Sequence, residues 1–331
     1  MNRPLVFALC LMLLGTMATA ATTKSAGLTA EEGRRKTELQ NRLCADRQLN
    51  CSYVTALLTD QRLTIYLPPE PAGPRSAPLP KEHERNPYFT KRFGLLTPES
   101  LERCREFVQA HAPAFDAAYR IYGVPREVIC AHLRIETDFG IPTKLSPNPL
   151  GTIPAIDRLV TLYVRKPARK QKPDRFVRRQ AFALDELKNL IQAASNYDWD
   201  LFQIPGSSTG AIGLVQFEPS SFKVAVDGDG DGNIDLFEPA DAIPSVAHYL
   251  VTRGWDDQPQ HQQRAIYAYY GGHYNTDPNK YYMKAVLKYS SEMVRYLKDH
   301  PLESGLASMP ERLPTEEREP SRFKRTKQPI N

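Results

Sequence analysis

The chain has 331 residues, 41% of them hydrophobic, enough for a sizeable core in one elaborated domain or two smaller ones. Lys and Arg number 43 against 38 Asp and Glu, a formal charge of +5. This mild excess suits an anionic cell-wall surface. Without a Lys/Arg stripe interleaved with aromatics it excludes a nucleic-acid-binding protein, and basic runs such as 165–179 read as a solvated face or loop.

Arg3 precedes the apolar run Leu5–Leu14, and Ala18-Thr19-Ala20 offers small residues where a signal peptidase reads. Residues 1–20 therefore read as a cleavable signal peptide, with export to the periplasm and a mature chain starting near Ala21. The run is too short for stable membrane insertion. Cys10 lies inside it instead of closing it behind small residues, which argues against a lipid anchor. The other cysteines, Cys44, Cys51, Cys104 and Cys130, are even in number in an exported chain and read as two disulfides. Three pairings are open; closeness in sequence favours Cys44 with Cys51, and then Cys104 with Cys130 across two helices.

Residues 21–90 read as an N-terminal arm, helical and charged to about 65 and then polyproline over Pro68–Pro80. A mainly α domain follows over 91–300. Thr97 caps its first helix with Pro98 in the first turn, and helices are expected at 98–111, 113–122, 125–139, near 182–195, and at 239–250, 256–270 and 280–297. No strand series or internal repeat is visible. From Pro301 to Asn331 the composition turns to Pro, Glu, Arg and Lys, which predicts a disordered tail.

One acid stands out. On the helix between Pro125 and Gly140, Ile129 and Leu133 mark the apolar stripe, and Glu136 falls on it, while Glu127, Arg134 and Asp138 project from the opposite side. Desolvation would hold Glu136 protonated near neutral pH, as a general acid toward a leaving oxygen requires. A buried, hydrogen-bonded structural Glu is the alternative. Asp138 is a poor partner for it, because two residues along a helix separate side chains by roughly 200°.

The segment Gly210–Ser221 is a glycine-rich turn, either a groove floor or a packing turn, with Ser207, Ser208 and Gln216 as hydrogen-bonding groups. Aromatics between Tyr267 and Tyr274 could stack sugar rings or fill core; His273 alone suits solvent or core. Between these lies a complete calcium loop. Asp227, Asp229, Asp231 and Asp235 occupy loop positions 1, 3, 5 and 9, Asn233 offers its carbonyl from 7, Glu238 stands at 12, and Gly232 sits at 6. Ile234 at position 8 would pin the loop to a core. A single loop reads as a structural Ca2+ site and not a sensor.

These residues resemble the membrane-bound lytic murein transglycosylase B family of bacterial cell-wall enzymes over about 85–290. The markers are Tyr122-Gly-Val-Pro125, Ile135-Glu-Thr-Asp-Phe-Gly140, Gly206-Ser207, Gly210–Ser221, the calcium loop and Asp241–Tyr249. The resemblance implies a mainly helical fold like goose-type lysozyme, with Glu136 as sole acid/base. It also implies Ser207 and Gln216 near the sugar subsites, with Phe217, Tyr269 and Tyr270 as further substrate contacts on peptidoglycan glycan strands. The implied reaction cleaves the β-1,4 bond between N-acetylmuramic acid and N-acetylglucosamine. The muramoyl C6 hydroxyl closes a 1,6-anhydro ring, so no second carboxylate is needed. A hydrolytic muramidase would instead need a base such as Asp138, Asp200 or Glu218, and a glycan-binding protein would need none. The chain departs from the family at Tyr269-Tyr270-Gly271, where the family reads Tyr-Asn-Gly, and its leader resembles that of a soluble member.

Overall fold

The computed structural model describes residues 27–67, 86–166, 173–271, 280–303 and 311–312. The expectations for the leader, the proline run, His273 with Tyr274, and most of the C-terminal tail lie outside the described residues. The described chain is mainly helical and divides into two compact units that do not follow chain order. One holds residues up to 78 together with 150–212 and 216–223; the other holds 79–149, 213–215 and everything from 224 onward. Among the described residues no helix is long and apolar enough to cross a membrane.

The first unit contains α1 (Ala30–Cys44), α2 (Cys51–Thr59), α6 (Ala155–Val164) and α7 (Pro173–Tyr197). Helix α1 starts on a reciprocal cap, in which Thr29 accepts from the Glu32 amide while Glu32 accepts from the Thr29 amide. It packs on α2 and α6, burying Leu39, Leu43, Val54 and Leu58. The Cys44–Cys51 disulfide closes the turn between α1 and α2. Two short strands, β1 (Ile153–Pro154) and β2 (Pro205–Gly206), pair antiparallel. Arg165, expected on a solvated face, is instead buried: it pairs with Glu32 at 3.1 Å and donates to the Ile65 carbonyl. Pairing with a buried carboxylate is what lets a guanidinium leave water.

The second unit contains α3 (Pro98–Ala110), α4 (Ala112–Tyr122), α5 (Arg126–Thr137), α8 (Pro239–Thr252), α9 (Pro259–Tyr269) and α10 (Tyr281–Asp299). Thr97 caps α3 as expected, accepting from the Ser100 amide, with Pro98 at the first helical position. Helix α5 lies at the centre, against α3, α4, α8 and α10. Its polar side is no surface. Arg134 and Asp138 are both 6% exposed, and Asp138 pairs with Arg134 and with Arg103 of α3. Arg134 also donates to Ser100 Oγ and to the carbonyls of Phe93 and Gly94.

The helix stops at two left-handed residues, Asp138 (φ 51°) and Phe139 (φ 61°). Non-glycine residues hold this conformation only when their surroundings fix them. Here the ion pairs hold Asp138, and Phe139 stacks on Phe107 at 4.8 Å. The Cys104–Cys130 disulfide joins α3 to α5, so both favoured pairings are present. A few tail residues also pack on this unit: Leu302 is buried, and Arg312 bonds the Gly123 carbonyl and pairs with Asp257.

Candidate active site

Glu136 stands in the last turn of α5, half-buried as a residue, with its carboxyl among aromatic side chains. Tyr282 of α10 donates its hydroxyl to Glu136 Oε1 at 2.6 Å. The Tyr282 Oη also lies 2.7 Å from Nδ1 of His132, one helical turn before Glu136. Tyr269, at the end of α9, sets its ring against His132 at 4.4 Å and parallel to Tyr282 at 6.2 Å, while its hydroxyl donates to the Val215 carbonyl at 2.8 Å. Tyr270 stacks on Tyr282 at 5.6 Å, and Tyr88 meets Tyr282 edge-on.

Burial among these rings raises the Glu136 carboxyl to about 7, against the opposing pull of the Tyr282 hydrogen bond. Near neutral pH the group is therefore available both as acid and as carboxylate, which suits one side chain giving a proton and later taking one back. His132 is fully buried, and that burial lowers it to about 3, so it is a neutral imidazole.

Of the residues expected to meet sugar, Tyr269 and Tyr270 belong to the unit that carries Glu136. Ser207, Gln216 and Phe217 belong to the other. Ser207 Oγ accepts from the amides of Thr209 and Ala211, which makes it part of the turn's own scaffold. Gly210 and Gly213 take the left-handed φ that the turn demands, and Gln216 does so without being glycine (φ 50°). Phe217 pairs its backbone with Ile212 and is 3% exposed.

The sequence reading missed His132 and Tyr282. His132 had a weak signal, four residues before Glu136 and so on the same helical face. Tyr282 is 146 positions from Glu136, and no local pattern joins them.

The three acids weighed as a hydrolytic base are each engaged. Asp138 is held by Arg103 and Arg134, and Asp200 by Arg62. Glu218 is buried in the first unit, where burial and the nearby Glu186 raise it well above the ordinary range while Thr209 donates to it.

The acidic loop is closed by its own carboxylates. Asp227 accepts from the amides of Gly230 and Gly232, Asp231 from Asn233, and Asp235 from Phe237. Gly232 sits at φ 92°, which the sixth loop position requires, and Ile234 is buried. Among the described residues the carboxylates that converge within 4.8 Å are Asp227, Asp229 and Asp241. Asp231, Asp235 and Glu238 are exposed and stand outside that trio. Asp241 lies beyond the expected loop, in the first turn of α8, where it accepts from the amides of Gly228 and Asp235. Two hard carboxylates on a loop bent around left-handed glycines, with a third from the first turn of α8, fit a Ca2+ ion by donor chemistry.

The model of the transglycosylase SLT domain family matches residues 37–328. The chain belongs to this family. It is 32% identical over 226 residues to the membrane-bound lytic murein transglycosylase B of Escherichia coli (strain K12), covering 68% of this chain. It spans about half the length of that curated relative, 54%. The Escherichia coli lytic transglycosylase SLT35, solved in complex with calcium, aligns with TM-score 0.57 at 20% identity over 79% of this chain and 93% of its own. SltB3 of Pseudomonas aeruginosa, solved with NAG-anhNAM-pentapeptide, aligns with TM-score 0.59 at 19% identity over 87% and 83%. The helical architecture is thus shared with these solved structures.

Proposed function

We propose that this chain is a peptidoglycan lytic transglycosylase in which Glu136 is the single general acid/base. The observation that carries the reading is the Glu136 carboxyl, raised to about 7 by burial and set in a ring of tyrosines. As an acid it gives its proton to the glycosidic oxygen between N-acetylmuramic acid and N-acetylglucosamine, and the C1–O bond breaks. As a carboxylate it then takes the proton of the muramoyl C6 hydroxyl, whose oxygen forms the new bond to C1. One proton leaves Glu136 and one returns, so the residue ends as it began. The substrate's acetamido group can carry the intervening positive charge, in place of a second carboxylate. The NAG-anhNAM-pentapeptide seen on SltB3 is a ligand of this chemical type.

The residues proposed to contact sugar are Tyr269 and Tyr270, together with Ser207, Gln216 and Phe217. The larger Tyr270, where the family carries Asn, narrows the acetamido position. We further propose a goose-lysozyme-like fold with an N-terminal arm, export to the periplasm by a cleaved leader, and a structural Ca2+ in the loop from Asp227 to Glu238. Asp227, Asp229, Asp231, Asp235 and Glu238 would hold the ion with the Asn233 carbonyl, and the buried Asp241 supports the set. The bound ion would supply fixed positive charge that locks the loop onto α8.

Mass spectrometry of digested sacculi tests the reaction. Anhydro-muramic ends are expected from wild type and at least about a hundredfold fewer from Glu136→Gln. Reducing muramic ends from wild type would establish hydrolysis instead.

A further inference from the structure

Tyr282 has one hydroxyl proton and two neighbours that compete for it, Glu136 Oε1 at 2.6 Å and His132 Nδ1 at 2.7 Å. The direction of this chain decides which oxygen of Glu136 can carry the reactive proton. If His132 bears its proton on Nδ1, it donates to Tyr282, Tyr282 donates to Oε1, and a proton on Glu136 must sit on Oε2, free to reach a substrate. If His132 bears it on Nε2, Tyr282 donates to Nδ1, and Glu136 turns its own O–H back onto Tyr282. In that second arrangement the acid is spent on an internal bond.

The far nitrogen selects between them. Nε2 of His132 is buried and, among the described residues, has no hydrogen-bond partner. A buried N–H left without an acceptor is rarer and costlier than a bare lone pair, so the proton belongs on Nδ1. The Tyr269 ring lies against the imidazole with 36° between planes, closer to face-on than edge-on, and offers Nε2 no acceptor. The other titratable groups nearby are Tyr269 of α9, with Tyr249 of α8 behind it, and Tyr88 beside Tyr282. Of the charged groups around α5, Arg134 and Arg103 pair with Asp138, and Arg126 and Glu127 stand in its first turn, the end away from Glu136; the phenol of Tyr289 of α10 donates to the Ser100 carbonyl. Among the described residues nothing charged intervenes in the three-residue chain.

We propose that His132 is a positioning residue which, as the Nδ1–H tautomer, drives the Tyr282 hydroxyl onto Glu136 Oε1 and so keeps the transferable proton on Oε2. The assignment rests on the acid/base role proposed for Glu136. Chains of hydrogen bonds polarise one another, so Tyr282 is also a stronger donor for having His132 behind it, which favours the carboxylate.

The test combines turnover with two measurements that need none. In wild type, 15N spectra of ring-labelled histidine should show the buried imidazole protonated on Nδ1. In His132→Leu, the 13C titration of the Glu136 carboxyl should move to higher pH, the basic limb of the kcat profile should follow it, and kcat should fall about tenfold with KM unchanged. His132→Asn, which can place an amide N–H near the position of Nδ1, should restore the titration and most of kcat. An Nε2-protonated ring, or a leucine variant that stays folded with wild-type titration, would overturn the assignment. If wild type releases no anhydro product at all, the enzymatic reading fails, while the two spectroscopic measurements still decide the proton arrangement.

Discussion

Thr137 Oγ1 donates a hydrogen bond to the Leu214 carbonyl at 2.9 Å, so the residue beside Glu136 is tied to the middle of the glycine-rich turn. Tyr269 bonds the next carbonyl, Val215, from α9. Two side chains from different helices thus hold consecutive peptide groups of one three-residue segment, 213–215.

Thr137→Val keeps the shape of this side chain and removes its donor, leaving a buried carbonyl short of a partner. We expect a loss of about 1–3 kcal/mol in stability, measured by denaturant unfolding. An unchanged midpoint would show that water replaces the bond.

Glu136→Gln should reduce glycan cleavage by about a hundredfold to ten-thousandfold while the melting temperature holds or rises. The variant exchanges a buried, ionisable group for a neutral one of the same shape. A concurrent collapse in stability would instead mark Glu136 as a structural residue.

Glu186 and Glu218 predict how the first unit responds to pH. Burial raises Glu186 to about 7, and burial with Glu186 nearby raises Glu218 well above its usual range. A raised acid binds its proton more tightly folded than unfolded. Its contribution is therefore complete below the unfolded value near 4.5 and is lost as pH climbs through 7. The melting temperature should fall between pH 5 and 8, and the fall should shrink in Glu186→Gln and Glu218→Gln, followed by calorimetry at each pH. An identical slope in the double variant would remove this pair from the account.

Calcium should raise the melting temperature of wild type after chelation, by mass action on the native state. Asp227→Ala should abolish that response, and Asp241→Asn should weaken it if the buried acid supports the ion. The absence of any shift with calcium in wild type would refute the site.

The helices were legible because their signals are local. Thr97-Pro98 announced the start of α3, and the Ile129–Leu133 stripe announced α5. The other side of α5 was illegible for a physical reason: Arg134 and Asp138 read as surface until Arg103, Ser100 and the Phe93 carbonyl appear around them, and all of these come from outside the helix. The same holds for Arg165, whose partner Glu32 is 133 positions away. Within the site, Glu136, Tyr269 and Tyr270 could be named from motif and composition. His132 and Tyr282 could not, since their meaning lies in a contact across 150 residues. Asp241 was noticed only as part of a family marker, because loop spacing ends at Glu238.

Pro244 lies inside α8 and cannot donate to the Ala240 carbonyl as an ordinary residue four places on would. Against that carbonyl and the proline ring sits Gly228, where any β-carbon would collide with both. The spacing from 228 to 244 is thereby made a ruler: one added residue would lift the glycine off its seat and unseat the Asp227–Asp229 pair with it. Length variation among relatives of this chain should accordingly spare this stretch, even where the acidic side chains themselves have drifted.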